Sequence, residues 1–73
     1  MLNAYQLSCG YIERKQTKTG MVTLWREHTR YHVKRISYFI DGRPIRDTWL
    51  VFDSVRDAQK CFRRQLEILK AIS

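Results

Sequence analysis

Ser54-Val55-Arg56-Asp57-Ala58-Gln59-Lys60-Cys61-Phe62-Arg63-Arg64-Gln65-Leu66-Glu67-Ile68-Leu69-Lys70 is the stretch on which the fold turns. Val55, Ala58, Phe62, Leu66 and Leu69 step by three and four, the spacing of one face of an α-helix. Arg56, Lys60, Arg63, Arg64 and Lys70 occupy the opposite face, and no glycine or proline interrupts the pattern. Asp53-Ser54 marks the entry. Ser54 is placed to cap the first turn, and Asp57 three residues on sets a negative charge near the positive end of the helix dipole. A helix with one apolar face needs a second apolar face to cover it.

Upstream, the period changes from three-and-four to two, which is the mark of strands. In Tyr5-Gln6-Leu7-Ser8-Cys9-Gly10-Tyr11-Ile12-Glu13 the apolar residues Tyr5, Leu7, Cys9 and Tyr11 alternate, which predicts a first strand with Cys9 on its apolar side. Arg14 to Gly20 is polar, carries three cations and ends on glycine, so it reads as a hairpin loop. Met21 to Glu27 reads as a second strand, and His28-Thr29-Arg30 as the connection to a third that begins near Tyr31. There Tyr31 and Val33 share one parity while Ile36, Tyr38 and Ile40 share the other. That switch predicts either a β-bulge at Lys34-Arg35 or a strand with both faces partly buried. Asp41-Gly42, completed by Arg43-Pro44, is the clearest turn in the chain, and Ile45 to Phe52 follows as a fourth strand. The expected architecture is α+β: an antiparallel sheet of about four strands, then one C-terminal amphipathic helix packed on one face (ββββα).

Seventy-three residues, taken as a single domain over 1–73, allow only a thin core. A substrate pocket of about 300 Å³ or more is hard to enclose in such a chain. The sequence has no Gly-x-Ser-x-Gly, its three glycines are isolated, and its acidic residues are scattered singly. No enzymatic activity and no cofactor are expected. Cys9, Cys61, His28 and His32 make a numerical zinc set, but structural zinc sites draw their cysteines in close pairs from one turn. These two are 52 positions apart, so they read as ordinary buried or half-buried reduced thiols. No apolar run approaches a membrane span, and Met1-Leu2-Asn3-Ala4-Tyr5-Gln6 lacks the basic start of a signal peptide. A cytoplasmic protein without membrane contact is the expectation.

Fourteen Lys and Arg against seven Asp and Glu give a formal charge of +7. Such an excess opposes compaction and points to an acidic or polyanionic partner. Nine of the cations are arginine, which makes bidentate contacts to carboxylate or phosphate. The candidate partner-binding residues are Arg14 and Lys15 on the first hairpin; Arg26, Arg30, Tyr31 and Arg35 around the second and third strands; and Arg56, Lys60, Arg63 and Arg64 on the helix. Arginine interleaved with Trp25, Tyr31 and Tyr38 suits a protein interface, where Tyr, Trp and Arg are the enriched anchors. It also suits a sheet that stacks the bases of RNA or single-stranded DNA. Against both stands the plain reading in which the aromatics fill the core and the cations only meet water; Trp49 and Phe52, leading into the helix, are expected to do so.

The whole chain, from Met1-Leu2-Asn3-Ala4-Tyr5 through Trp25-Arg26-Glu27-His28 to Ile72-Ser73, resembles a small phage-encoded transcription regulator, the RNA polymerase inhibitor and antiterminator of lytic Xanthomonas phages. No compact motif carries the resemblance, and it transfers no ligand or catalytic residue. It implies a protein of the host cytoplasm that binds host RNA polymerase at the N-terminal region of the β′ subunit and the flap of the β subunit. Such a protein inhibits σ-dependent initiation and favours readthrough of terminators. Direct contact with nucleic acid, weak or primary, stays open beside it.

Overall fold

The helix and the strands do bury their apolar faces against each other, and the register of the sheet decides which side chains are left over. The computed structural model describes residues 2–38 and 44–72. Its elements are a short helix α1 (Ala4–Ser8), strands β1 (Glu13–Gln16), β2 (Gly20–Glu27), β3 (Arg30–Tyr38) and β4 (Pro44–Phe52), and the long helix α2 (Val55–Ile72). All neighbouring strands run antiparallel, in the order β1-β2-β3-β4. The α+β architecture with a C-terminal helix on one face is the expected one. The Asp41-Gly42 turn and Arg43 lie outside the described residues.

The core lies between α2 and β2–β3. Val22, Leu24 and Val33 from the sheet meet Ala58, Phe62 and Leu69 from the helix, all at most 1% exposed. Tyr31, Phe52, Val55, Cys61 and Leu66 pack around them. The three-and-four stripe of α2 is therefore the buried face, as its spacing predicts.

The first expected strand is instead a helix. Asn3 Oδ1 accepts from the Gln6 amide at 2.8 Å, and Gln6 Oε1 accepts from the Asn3 amide at 3.0 Å. This reciprocal capping box satisfies two backbone donors and starts α1. Of the alternating apolar residues only Leu7 enters the core; Tyr5 is 75% and Tyr11 60% exposed. Cys9 is exposed at the helix C-terminus rather than on the apolar side of a strand. Gly10, at φ 94°, then turns the chain toward β1, a backbone conformation that L side chains rarely adopt.

Arg14 and Lys15 consequently sit on β1, and the hairpin turn is confined to residues 17–19. In that turn Thr19 donates through its hydroxyl to the Leu69 carbonyl of α2 at 3.0 Å, tying the hairpin to the helix. No bulge occurs at Lys34-Arg35: β2 and β3 stay in register from Gly20↔Ser37 to Glu27↔Arg30, and the irregularity falls between Ser37 and Tyr38. β3 lies inside the sheet, where both faces are partly buried, so Val33 faces the helix and Ile36 the other side without any insertion.

Candidate functional site

Because α2 covers only one side of the sheet, every second residue of each strand is left on a face that no described element crosses. The register places Arg14 of β1, Met21, Thr23 and Trp25 of β2, His32, Lys34 and Ile36 of β3, and Trp49 and Val51 of β4 on this open face. Trp25 lies directly opposite His32, and Lys34 directly opposite Trp49. Cross-strand neighbours at that spacing interact through their side chains. The Trp25 and His32 rings stack at 5.3 Å and 13°, and Trp49 tilts against both, at 6.1 Å from Trp25 and 5.9 Å from His32. The Trp49 indole Nε1–H donates to His32 Nδ1 at 3.0 Å. That bond requires Nδ1 without a proton, which leaves Nε2 as the donor, 3.8 Å from a Glu27 carboxylate oxygen. Lys34 Nζ sits 5.5 Å above the Trp49 ring and 3.5 Å from Asp47. Beside the cluster, Ile12, Arg14, Met21, Trp25 and Ile36 line a shallow depression of about 330 Å³.

Trp49 is 57% exposed, which overturns the expectation that it fills the core; Phe52, three residues on and facing α2, does pack there. Trp49-Leu50-Val51-Phe52 is apolar at both parities, so one pair must face outward whichever way the strand is set.

The ten expected partner-binding residues do not form one surface. Arg14 is on the open face, while Lys15 projects from the other side of β1. Arg26 is tied to the fold: its Nη1 donates to the Ser8 carbonyl at 2.7 Å. Arg30 pairs with Asp53 at 3.4 Å. Tyr31 is packed against the core and is not a free aromatic anchor. Arg35 faces the helix side, half-buried, and donates through Nη2 to Thr48 Oγ1 at 3.4 Å. Arg56, Lys60, Arg63 and Arg64 stand exposed on α2, and among the described residues no ion pair engages them. Lys34 was not among the ten, His32 was read only within the numerical zinc set, and Trp49 was read as a core residue.

A second concavity lies on the helix side. α2 packs chiefly on β2 and β3 and leaves β4 partly uncovered. Leu50, Phe52, Cys61, Gln65 and Ile68 line the resulting groove of about 830 Å³, and its helix wall carries Lys60, Arg63 and Arg64 interspersed with Asp57 and Glu67. Burial pushes the Cys61 thiol above its ordinary pKa; a hydrogen bond with the Gln65 side chain and the Arg64 charge pull it part of the way back. The Gln65 side-chain oxygen is buried without a hydrogen-bond partner.

His28 is in the β2–β3 turn, Cys9 follows α1 and Cys61 is on α2, while His32 is engaged with Trp49; among the described residues no three His, Cys, Asp or Glu side chains come together to hold a metal ion. Among those residues no helix is long and apolar enough to cross a membrane. No protein-family model, no curated protein and no solved structure matches the chain.

Proposed function

We propose that the chain is a phage transcription regulator that acts by binding host bacterial RNA polymerase, inhibiting σ-dependent initiation and promoting readthrough of terminators. The observation that carries the binding part is the Trp25–His32–Trp49 cluster on a sheet face that no described element covers. Trp49 stands exposed, braced by the half-buried Trp25 and His32 rings, and such preordered aromatic side chains are the anchors of protein interfaces. The charges around the cluster favour a protein over a phosphate backbone. Lys34 is matched by Asp47, Arg30 by Asp53, and Glu27 lies beside His32. A surface that tracks phosphates draws its affinity from unmatched cations. The step from a protein partner to RNA polymerase rests on the whole-chain resemblance, with contacts at the N-terminal region of β′ and the flap of β.

The test is a pull-down of purified bacterial RNA polymerase, paired with transcription in vitro from a σ-dependent promoter through a terminator. The expected results are a stable complex, fewer initiated transcripts and more readthrough. Trp49→Ala should weaken the complex by about 2 kcal/mol, roughly 30-fold in Kd, with the circular-dichroism spectrum retained. No complex at micromolar concentration in moderate salt would overturn the proposal.

The alternative is a nucleic-acid-binding module that stacks RNA or single-stranded DNA on the same rings, supported by their place on a sheet beside Arg14 and Lys34. Binding an oligonucleotide more tightly than polymerase, with a steep salt slope, would favour it.

A further inference from the structure

The two edges of the sheet are unlike. β1 closes one side with four residues, Glu13-Arg14-Lys15-Gln16, three of them charged. Short, charged edge strands resist pairing with other chains. β4 closes the other side with nine residues, and Thr48-Trp49-Leu50-Val51-Phe52 carries no charge at all. Alternate residues of an edge strand direct their N–H and C=O groups outward, ready to hydrogen-bond an added strand. Beside this edge, on the helix side, runs the groove lined by Leu50, Phe52 and Ile68, with Lys60, Arg63 and Arg64 along its wall.

The geometry points to strand addition at β4 by an extended acidic segment of a partner protein, its alternate apolar side chains seated in the β4–α2 groove. A strand added about 4.8 Å beyond β4 presents every second side chain to the helix side, where the groove already exists. The carboxylates of that segment meet Lys60, Arg63 and Arg64, which outnumber Asp57 and Glu67 on the same wall and form no ion pair among the described residues. Charge argues against a second copy as the occupant. Pairing β4 with β4 about a two-fold axis would place both α2 helices on one side, with two walls in which cations outnumber carboxylates facing across the shared groove. Two chains of charge +7 would have to close together. The inference rests on the preceding proposal only in taking the partner to be a protein, and it does not depend on that protein being RNA polymerase.

The experiment begins with a random 12-residue peptide library selected against the full chain. The peptide enriched most is then titrated into isotope-labelled protein and followed by NMR. The expected result is an acidic peptide with apolar residues at alternate positions, which shifts Cys61, Gln65 and Ile68, gives strand-type contacts to β4 and leaves Met21 and Thr23 unmoved. Its Kd should rise at least tenfold in the doubly substituted Arg63→Glu/Arg64→Glu chain. Enrichment of basic peptides, shifts confined to the Trp25 face, an unchanged Kd in that variant, or no enrichment would each overturn the inference. RNA polymerase forms a separate arm. Polymerase captured by the wild type and by Arg63→Glu/Arg64→Glu alike, with no acidic peptide enriched at β4, sinks the strand-addition site and leaves the polymerase reading standing. Acidic peptides bound at β4 without any capture of polymerase do the reverse.

Discussion

Cys61 sits half-buried at the margin of the core, four residues before Gln65 on α2, while Cys9 is exposed after α1. The thiolate is the reactive form of cysteine, and burial holds the Cys61 pKa up, so less of it is thiolate at a given pH. Alkylation followed by peptide mass mapping should therefore modify Cys9 first. Modification of Cys61 should stay slow at neutral pH and accelerate as the pH rises beyond the usual thiol range. Gly20 is held by a different constraint. A Cβ there would drive into the Ile36 carbonyl oxygen and stand 3.0 Å from Leu69 Cδ2. Backbone cannot step aside as a flexible side chain does, so Gly20→Ala should cost about 1–3 kcal/mol in urea unfolding. Gly10 meets nothing within 4 Å, and its substitution bears only on the strained φ.

Among the elements, α2 was legible because eighteen residues repeat the three-and-four pattern for five turns. α1 has five residues, too few to display any period, and its alternating Tyr5, Leu7, Cys9 and Tyr11 imitated a strand. The signal that could have corrected this is Asn3 followed at the third position by Gln6, a capping-box pair outside the more familiar Ser/Thr–Glu form. Because that box is the start signal of a helix too short to persist alone, Asn3→Ala should lower stability by about 1 kcal/mol and raise amide exchange over Ala4–Ser8 before the rest of the fold. The strands from Met21 onward were read correctly in position. Their facing was not always decidable: a parity switch in β3 stood equally for a bulge or for two buried faces, and in β4 both parities are apolar. The charges of the candidate site were therefore visible in sequence, whereas the Trp25–His32–Trp49 cluster was not. It depends on the cross-strand register that sets His32 between the two indoles.

Taken as a whole, the molecule divides its two binding resources. The aromatic anchors stand on the open side, where Lys34 and Arg30 are paired with carboxylates, and the unpaired cations of α2 stand on the other. Anchors govern how long a complex lasts, and a long-range field governs how fast it forms. Raising ionic strength from low to physiological should thus cut the association rate of a partner that docks on the Trp25–His32–Trp49 face by about tenfold or more, while changing its dissociation rate little. Stopped-flow or surface-plasmon measurements over a salt series would check the split. A comparable rise in dissociation rate would assign the cations to the interface itself.

The inequality of the sheet's two borders also fixes a valence. A molecule that offered a receptive border on each side would accept neighbours indefinitely and grow as a fibre. Here β1 is too short and too charged to take part, so the number of strand-accepting positions is one. Even where crowding or high salt overcomes the repulsion between copies, association through β4 closes on a pair and leaves no template for a third. The protein can thus keep an apolar strand bare for a partner without becoming the seed of its own aggregate.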